Sequence, residues 1–381
     1  MIPYGCQWLD EADEAAVLAV MRSPYLTQGP TIAAFEQAFA QAVNAPFAVA
    51  VSSATAGLHL ACLALGVGPG DRVWTSPNSF VASANCGRYC GASVDFVDID
   101  PDTLNLCPQA LAAKLATAER DGTLPKVVIP VHFGGEPCAM AAIAALAERY
   151  GFAVLEDASH AVGAHYRGEP VGSCQFSSMT VFSFHPVKVI TSGEGGMICC
   201  RDEGLAARLE ALRSHGICRD PAQFEQANDG PWYYEQQMLG FNYRMTDLQA
   251  ALGHSQLNKL EGFIALRQHR VARYHQQLAE LPLTWQQLDG ANRSALHLFV
   301  IQVAAERRRS LFERLRSDGI GANVHYIPIH LQPDYRRLGF GPGYCPNAES
   351  YYAGAISLPL HPQLTGEQQQ LVINSLRRGL A

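Results

Sequence analysis

The chain has 381 residues, 48% of them hydrophobic and 17% charged, enough apolar material for one large core and a smaller one. Its 28 Lys and Arg against 35 Asp and Glu leave a net charge of −7, which argues against a nucleic-acid surface, since such surfaces neutralise phosphates with Lys and Arg. No apolar run reaches membrane-spanning length, the start MIPYGCQWL lacks the basic and apolar segments of a signal peptide, and the 11 cysteines form no CxxC pair. A cytoplasmic protein with reduced thiols and no metal is expected.

Residues 1 to 9 read as an extended arm, followed by a helix over 11 to 22. SPYLTQGPTI then breaks the pattern and leaves Thr27, Gln28 and Gly29 in a loop before a helix over 32 to 43. AVAVSSATAGLHLACLALG is a strand, a turn of small hydroxyl residues (Ser52, Ser53, Thr55) and an apolar helix. Free backbone amides at such a helix start, with hydroxyls beside them, suit a phosphate. DRVWTSPNSFVASANC repeats the strand, turn and helix start and puts Phe80 at a strand end, either to fill the core or to stack on a flat ligand. Strands over 92 to 100 and 126 to 135, with helices over 108 to 120 and 139 to 150, imply crossover connections. The fold class is therefore α/β, with a mostly parallel sheet flanked by helices.

GFAVLEDASHAVGAHYRG runs from an apolar strand straight into Glu156, Asp157, Ser159 and His160, and in open α/β sheets ligands bind at that edge. In VFSFHPVKVITSGEGG a second strand ends at a connection closed by glycines, with Lys188 upon it. A loop lysine ordinarily extends to solvent, but a desolvated amine of lowered pKa is what a Schiff-base nucleophile needs. A phosphate cradle, a carboxylate at a strand end and a loop lysine together point to pyridoxal phosphate.

Further on, 204 to 215 is helical and 220 to 235 is a long polar and aromatic loop. GFNYRMTDLQAALG carries Thr246 as a helix cap and opens one long amphipathic helix or two. The domain change is expected here, giving units 1–250 and 251–381. Arg267, Arg270 and Arg273 read as a solvated helix face. Strands over 296 to 303 and 322 to 326, with helices over 307 to 318 and 367 to 379, give a small C-terminal α+β domain. His325, Tyr326 and His330 bracket the tripeptide IPI at a strand end, each either a cleft residue or a satisfied structural one.

Taken together, LTQGP, SSATAGLHLA, TSPNSFVASANC, EDASHAVGAHYRG, SSMTVFSFHPVKVITSGEGGMI, LRSHGI, GFNYRMTDLQAALG and VHYIPIH resemble the DegT/DnrJ/EryC/StrS family of sugar aminotransferases, in family order over nearly the whole chain. The resemblance implies a fold-type I large domain and pyridoxal 5′-phosphate as cofactor. It makes Lys188 the catalytic amine that takes the cofactor aldehyde and then moves a proton. Asp157 would pair with the ring nitrogen, and His160, where family members often carry Gln, would meet the ring hydroxyl. Thr55, Ala56 and Ser183 would hold the phosphate and Phe80 would lie on the ring. Asn242 would reach the phosphate from a second subunit, which implies a homodimer with shared sites. The cues YGCQWLDEAD, LTQGP, TSPNSFVASANC and VDIDPDTLNL point within the family to amination at C4 of a UDP-linked 4-keto-6-deoxy-N-acetylhexosamine by L-glutamate, as in pseudaminic acid synthesis. The sugar nucleotide would meet Tyr4, Leu26, Thr27, Gln28, Gly29, Ala56, Ser183, Arg244, His325, Tyr326, Ile327 and Pro328. A 3-keto or TDP-sugar aminotransferase fits the same motifs. A sugar dehydratase of the family carries histidine in place of the lysine, and a non-catalytic binding regulator has no need of Lys188 with Asp157 and the phosphate segment.

Overall fold

A computed structural model describes residues 1–380. The chain runs through β1 (Ile2–Pro3), α1 (Glu11–Met21), α2 (Pro30–Ala42), β2 (Phe47–Val51), α3 (Ala54–Ala64), β3 (Arg72–Thr75), α4 (Ala82–Tyr89), β4 (Ser93–Phe96), α5 (Pro108–Asp121), β5 (Val127–Ile129), α6 (Met140–Tyr150) and β6 (Ala153–Asp157). A hairpin of β7 (His165–Tyr166) and β8 (Glu169–Pro170) precedes β9 (Met179–Ser183), β10 (Gly196–Cys200) and α7 (Glu203–Arg213). Seven of these strands form one sheet in the order β2-β10-β9-β6-β5-β3-β4. Only β10 runs against its neighbours. The central strands are short Val-rich runs buried on both faces, as a sheet covered by helices on each side demands. Gly57 lets α3 lie against that sheet, since a Cβ there would come within 2.9 Å of Val181 Cγ1.

The remainder comprises β11 (Ile217–Cys218), β12 (Glu235–Gln236), α8 (Asp247–Leu257), α9 (Leu260–Leu278), β13 (Thr284–Trp285), β14 (Phe299–Gln302), α10 (Ala305–Ser317), β15 (Ile320–Gly321), α11 (Pro333–Arg336), α12 (Pro346–Gly354), β16 (Ala355–Leu358) and α13 (Gly366–Leu380). A three-stranded antiparallel sheet, β13-β14-β16, forms the core of the C-terminal part with α10 and α13. Thr246 caps α8 through a reciprocal box with Gln249, as its sequence pattern predicts. The long helical segment is two helices, parted at Asn258 and Lys259.

Two expectations need correction. Residues 322 to 326 form no strand: the ladder stops at β15, which pairs in parallel with the N-terminal β1, and Asn323 makes only a single bridge to Ser357. Side chains take over beyond that point, with the Tyr351 hydroxyl donating to His325 O at 2.7 Å. Nor is the arginine face of α9 solvated. Arg267 is completely buried and donates to the carbonyls of Leu296, His297 and Leu360, while Arg273 donates to Gly366 O. Arg267 follows Phe263 and Ile264 and precedes Val271 and Tyr274 at helical spacing, so it belongs to the buried stripe of α9. The cysteines are free thiols, and no helix among the described residues is long and apolar enough to cross a membrane.

Candidate active site

A cavity of about 580 Å³ opens at the carboxyl edge of the main sheet. Ser53, Ala54 and Thr55 enter it after β2, Ser79 and Phe80 after β3, Val131 after β5, Asp157 at the end of β6 and Ser183 at the end of β9. Tyr4 from the arm and residues 323–326 from the C-terminal part close it.

Lys188 lines this cavity, and its amine makes no hydrogen bond or ion pair among the described residues. The other three lysines of the chain are all paired, Lys114 with Asp95, Lys126 with Asp71, and Lys259 with Asp10 and Asp13. Burial brings the Lys188 amine down to about 8 against the opposing pull of the Asp157 charge. An amine held there is nucleophilic near neutral pH without a separate base.

Asp157 is buried and held on both oxygens. The Ser159 amide donates to Oδ1 at 3.1 Å and the Ser83 hydroxyl to Oδ2 at 2.6 Å. His160 is fixed from two sides: the Gly134 amide donates to Nδ1 at 3.3 Å and Nε2 lies 3.0 Å from the Tyr326 hydroxyl. Since Nδ1 accepts, the proton sits on Nε2 and goes to Tyr326. Burial, then the charges of Lys188 and His325, keep this imidazole far below its ordinary pKa and hence neutral. Both ring nitrogens of His160 are thus engaged, and the hydroxyl proton of Tyr326 is left free to donate.

At the start of α3, the Ser53 hydroxyl accepts from the Ala56 amide at 3.1 Å. The Ala56 amide is thus held by this cap, while the amides of Ala54 and Thr55 beside it have no partner among the described residues. A Cβ on Gly196 would stand 2.7 Å from Ala54 N, so glycine is what allows β10 to pass under this corner. Free amides at a helix start, the Ser183 hydroxyl, a buried carboxylate and an unpaired lysine are the donor set that a phosphorylated pyridine aldehyde needs. By that test the group fits.

The cavity thus brings together Tyr4, Thr55, Phe80, Asp157, His160, Ser183, Lys188, His325 and Tyr326. Phe80 is 60% exposed at the rim and does not fill the core. The loop residues fall elsewhere: Gln28, Gly29 and Arg244 line a separate hollow of about 230 Å³ with Arg213 and Ser214. Thr27 bridges to Thr246 and Asn242 to Ser214. Leu26, Ile327 and Pro328 lie outside the cavity lining, with Leu26 and Ile327 about half exposed. His330 is a structural histidine, with Nε2 2.8 Å from Glu349 Oε1. Sequence reasoning did not single out Ser79, Ser83, His185, Glu194 or Asn323. The first two stand one helical turn apart around Phe80 in TSPNSFVASANC, a spacing that marks no site until the fold brings Asp157 against Ser83.

Residues 7–377 match the family model described as the DegT/DnrJ/EryC1/StrS aminotransferase family. The spore coat polysaccharide biosynthesis protein SpsC of Bacillus subtilis is 38% identical over 383 residues, covering 99% of this chain and 96% of that protein. Among solved structures, Helicobacter pylori PseC, an aminotransferase involved in the biosynthesis of pseudoaminic acid, superposes with a TM-score of 0.90 at 29% identity, covering 100% of this chain and 99% of its own. The PMP-form of the putative sugar aminotransferase Spr1654 of Streptococcus pneumoniae gives 0.90 at 28% identity, with coverage of 100% and 99%. The chain belongs to the DegT/DnrJ/EryC1/StrS family of aminotransferases, enzymes that work with pyridoxal 5′-phosphate.

Proposed function

We propose that the protein transfers the amino group of L-glutamate to C4 of a UDP-linked 4-keto-6-deoxy-N-acetylhexosamine. The observation that carries this reading is the unpaired Lys188 amine, poised at about 8 and sharing one cavity with Asp157. Pyridoxal phosphate, when bound, supplies an electron sink for the carbon that loses its proton. Asp157, acceptor-only and fixed on both oxygens, would hold a proton on the ring nitrogen. The amides of Ala54 and Thr55 with Ser183 would fix the phosphate. Lys188, freed by the incoming donor, would carry the proton between substrate and cofactor carbons. Tyr326, oriented by His160, would donate to the ring hydroxyl, and Phe80 at the rim would cover the ring face.

The sugar identity is supported by the motifs YGCQWLDEAD and VDIDPDTLNL and by the likeness to PseC. Tyr4, His325 and Tyr326 would meet the sugar directly. The loop at Leu26 to Gly29, with Asn242 and Arg244, lies outside this cavity, so its assigned contacts need a second copy that completes the site, as a cytoplasmic homodimer would provide. A catalytic unit over 1–250 and a closing unit over 251–381 remain the working division. Incubation with glutamate and a panel of UDP- and TDP-linked keto sugars, read by NMR, tests the assignment. A 4-amino product from the UDP-4-keto-N-acetyl sugar is expected; turnover confined to 3-keto or TDP sugars contradicts it.

A further inference from the structure

The geometry points to Ser83 and Ser79 as a positioning relay that fixes the Asp157 carboxylate and aims it at the cofactor's ring nitrogen. This inference rests on the reading of Asp157 as the partner of that nitrogen. Ser83 lies in the first turn of α4 and Ser79 one turn before it; both are buried, with Ser83 wholly so. Ser83 Oγ is 2.6 Å from Asp157 Oδ2, 2.6 Å from Ser79 Oγ and 3.3 Å from Phe80 O.

A hydroxyl has one proton, and an ionised carboxylate can only accept. Ser83 Oγ donates to Asp157 Oδ2 at 2.6 Å, so its one proton goes to the carboxylate. Ser79 must then donate to Ser83. The direction of the relay is fixed from one end, and each bond polarises the next. The Ser159 amide occupies the other carboxylate oxygen, so neither oxygen is left to rotate away from the cavity. The relay is thereby a device that holds the Asp157 carboxylate in one orientation at the cavity wall.

The test is a titration of the apoprotein with pyridoxal phosphate and with its analogue that has carbon in place of the ring nitrogen, read as the ratio of the two dissociation constants. Both ligands share the aldehyde and phosphate, so the ratio isolates the ring nitrogen, and a merely structural lesion weakens both alike. Wild type is expected to prefer the nitrogen-bearing ligand, and Asp157→Asn to abolish the preference. Ser83→Ala should reduce it about tenfold, the effect of one hydrogen bond to a charged group. Ser79→Ala, which touches the relay's far end and keeps the test open should Ser83→Ala fold poorly, should reduce it about threefold. A wild-type ratio in Ser83→Ala, or in Ser79→Ala where the first is unstable, overturns the relay while Asp157→Asn still loses the preference. A wild-type ratio in Asp157→Asn instead overturns the reading of Asp157 itself.

Discussion

Lys188 sits on a connection between two buried strands, where solvation is poor and the one nearby anion, Asp157, only partly offsets the loss. Its folded pKa lies below its ordinary 10.5, so folding disfavours the protonated amine. Reductive alkylation of the apoprotein should therefore label Lys188 with a half-point near pH 8, the rate falling below that value as the amine protonates. A half-point near the ordinary lysine value contradicts the burial argument. Lys188→Ala should reduce transamination by roughly 10³-fold or more, measured as glutamate-dependent product formation. Ser183 came only with the family resemblance, whereas Asp157 and Lys188 were legible in the pattern, Asp157 where an apolar strand ends and Lys188 on a short connection closed by glycines. Ser79 and Ser83 were not, because serines near a Pro-Asn turn read as ordinary turn chemistry until β6 brings Asp157 against them.

The helices show where pattern reading succeeds and where it fails. Thr246 with Gln249 three residues on is a local signature, and α8 begins there. Thr246→Ala should lower unfolding free energy by about 1 kcal/mol in urea titration, with no change in slope. Arg267 shows the limit: charge spacing marked a solvated face, whereas three carbonyls from distant segments wait for its guanidinium. Only the assembled fold supplies those acceptors. Arg267→Ala leaves them unpaired in a dry site and should cost about 3 kcal/mol or more by the same titration. A loss below 1 kcal/mol would place the arginine among ordinary surface charges. The strand expected over 322 to 326 failed for a related reason, since β-branched and aromatic residues there face a cavity and not a neighbouring strand.

The main sheet joins two chemistries through one strand end, because Glu156 and Asp157 point to opposite faces. Asp157 faces the cavity, while Glu156 is buried under the sheet against His132, whose Nε2 lies 2.8 Å away. The Cys138 amide donates to His132 Nδ1, so the ring proton is on Nε2 and is given to Glu156. Burial by itself would raise the Glu156 carboxyl, but hydrogen bonds from His132, Ser177 and Thr180 hold it below its ordinary 4.5. A depressed folded pKa contributes stability above 4.5 that is lost as pH falls through the lower, folded value. Melting temperature should accordingly drop steeply below pH 4.5, and Glu156→Gln should be less stable at pH 7 yet show a shallower acid slope. Parallel slopes in the two proteins would remove Glu156 from the account. The parallel sheet and its helices were readable from alternating strand and helix patterns, but the site itself exists only where arm, sheet edge and C-terminal segment meet around one amine. That convergence is tested most directly by reducing the pyridoxal-phosphate-loaded protein with borohydride and mapping the modified peptide. The chain offers only 4 lysines, and the adduct is predicted on Lys188 alone; an adduct on Lys114, Lys126 or Lys259 with Lys188 unmodified contradicts it.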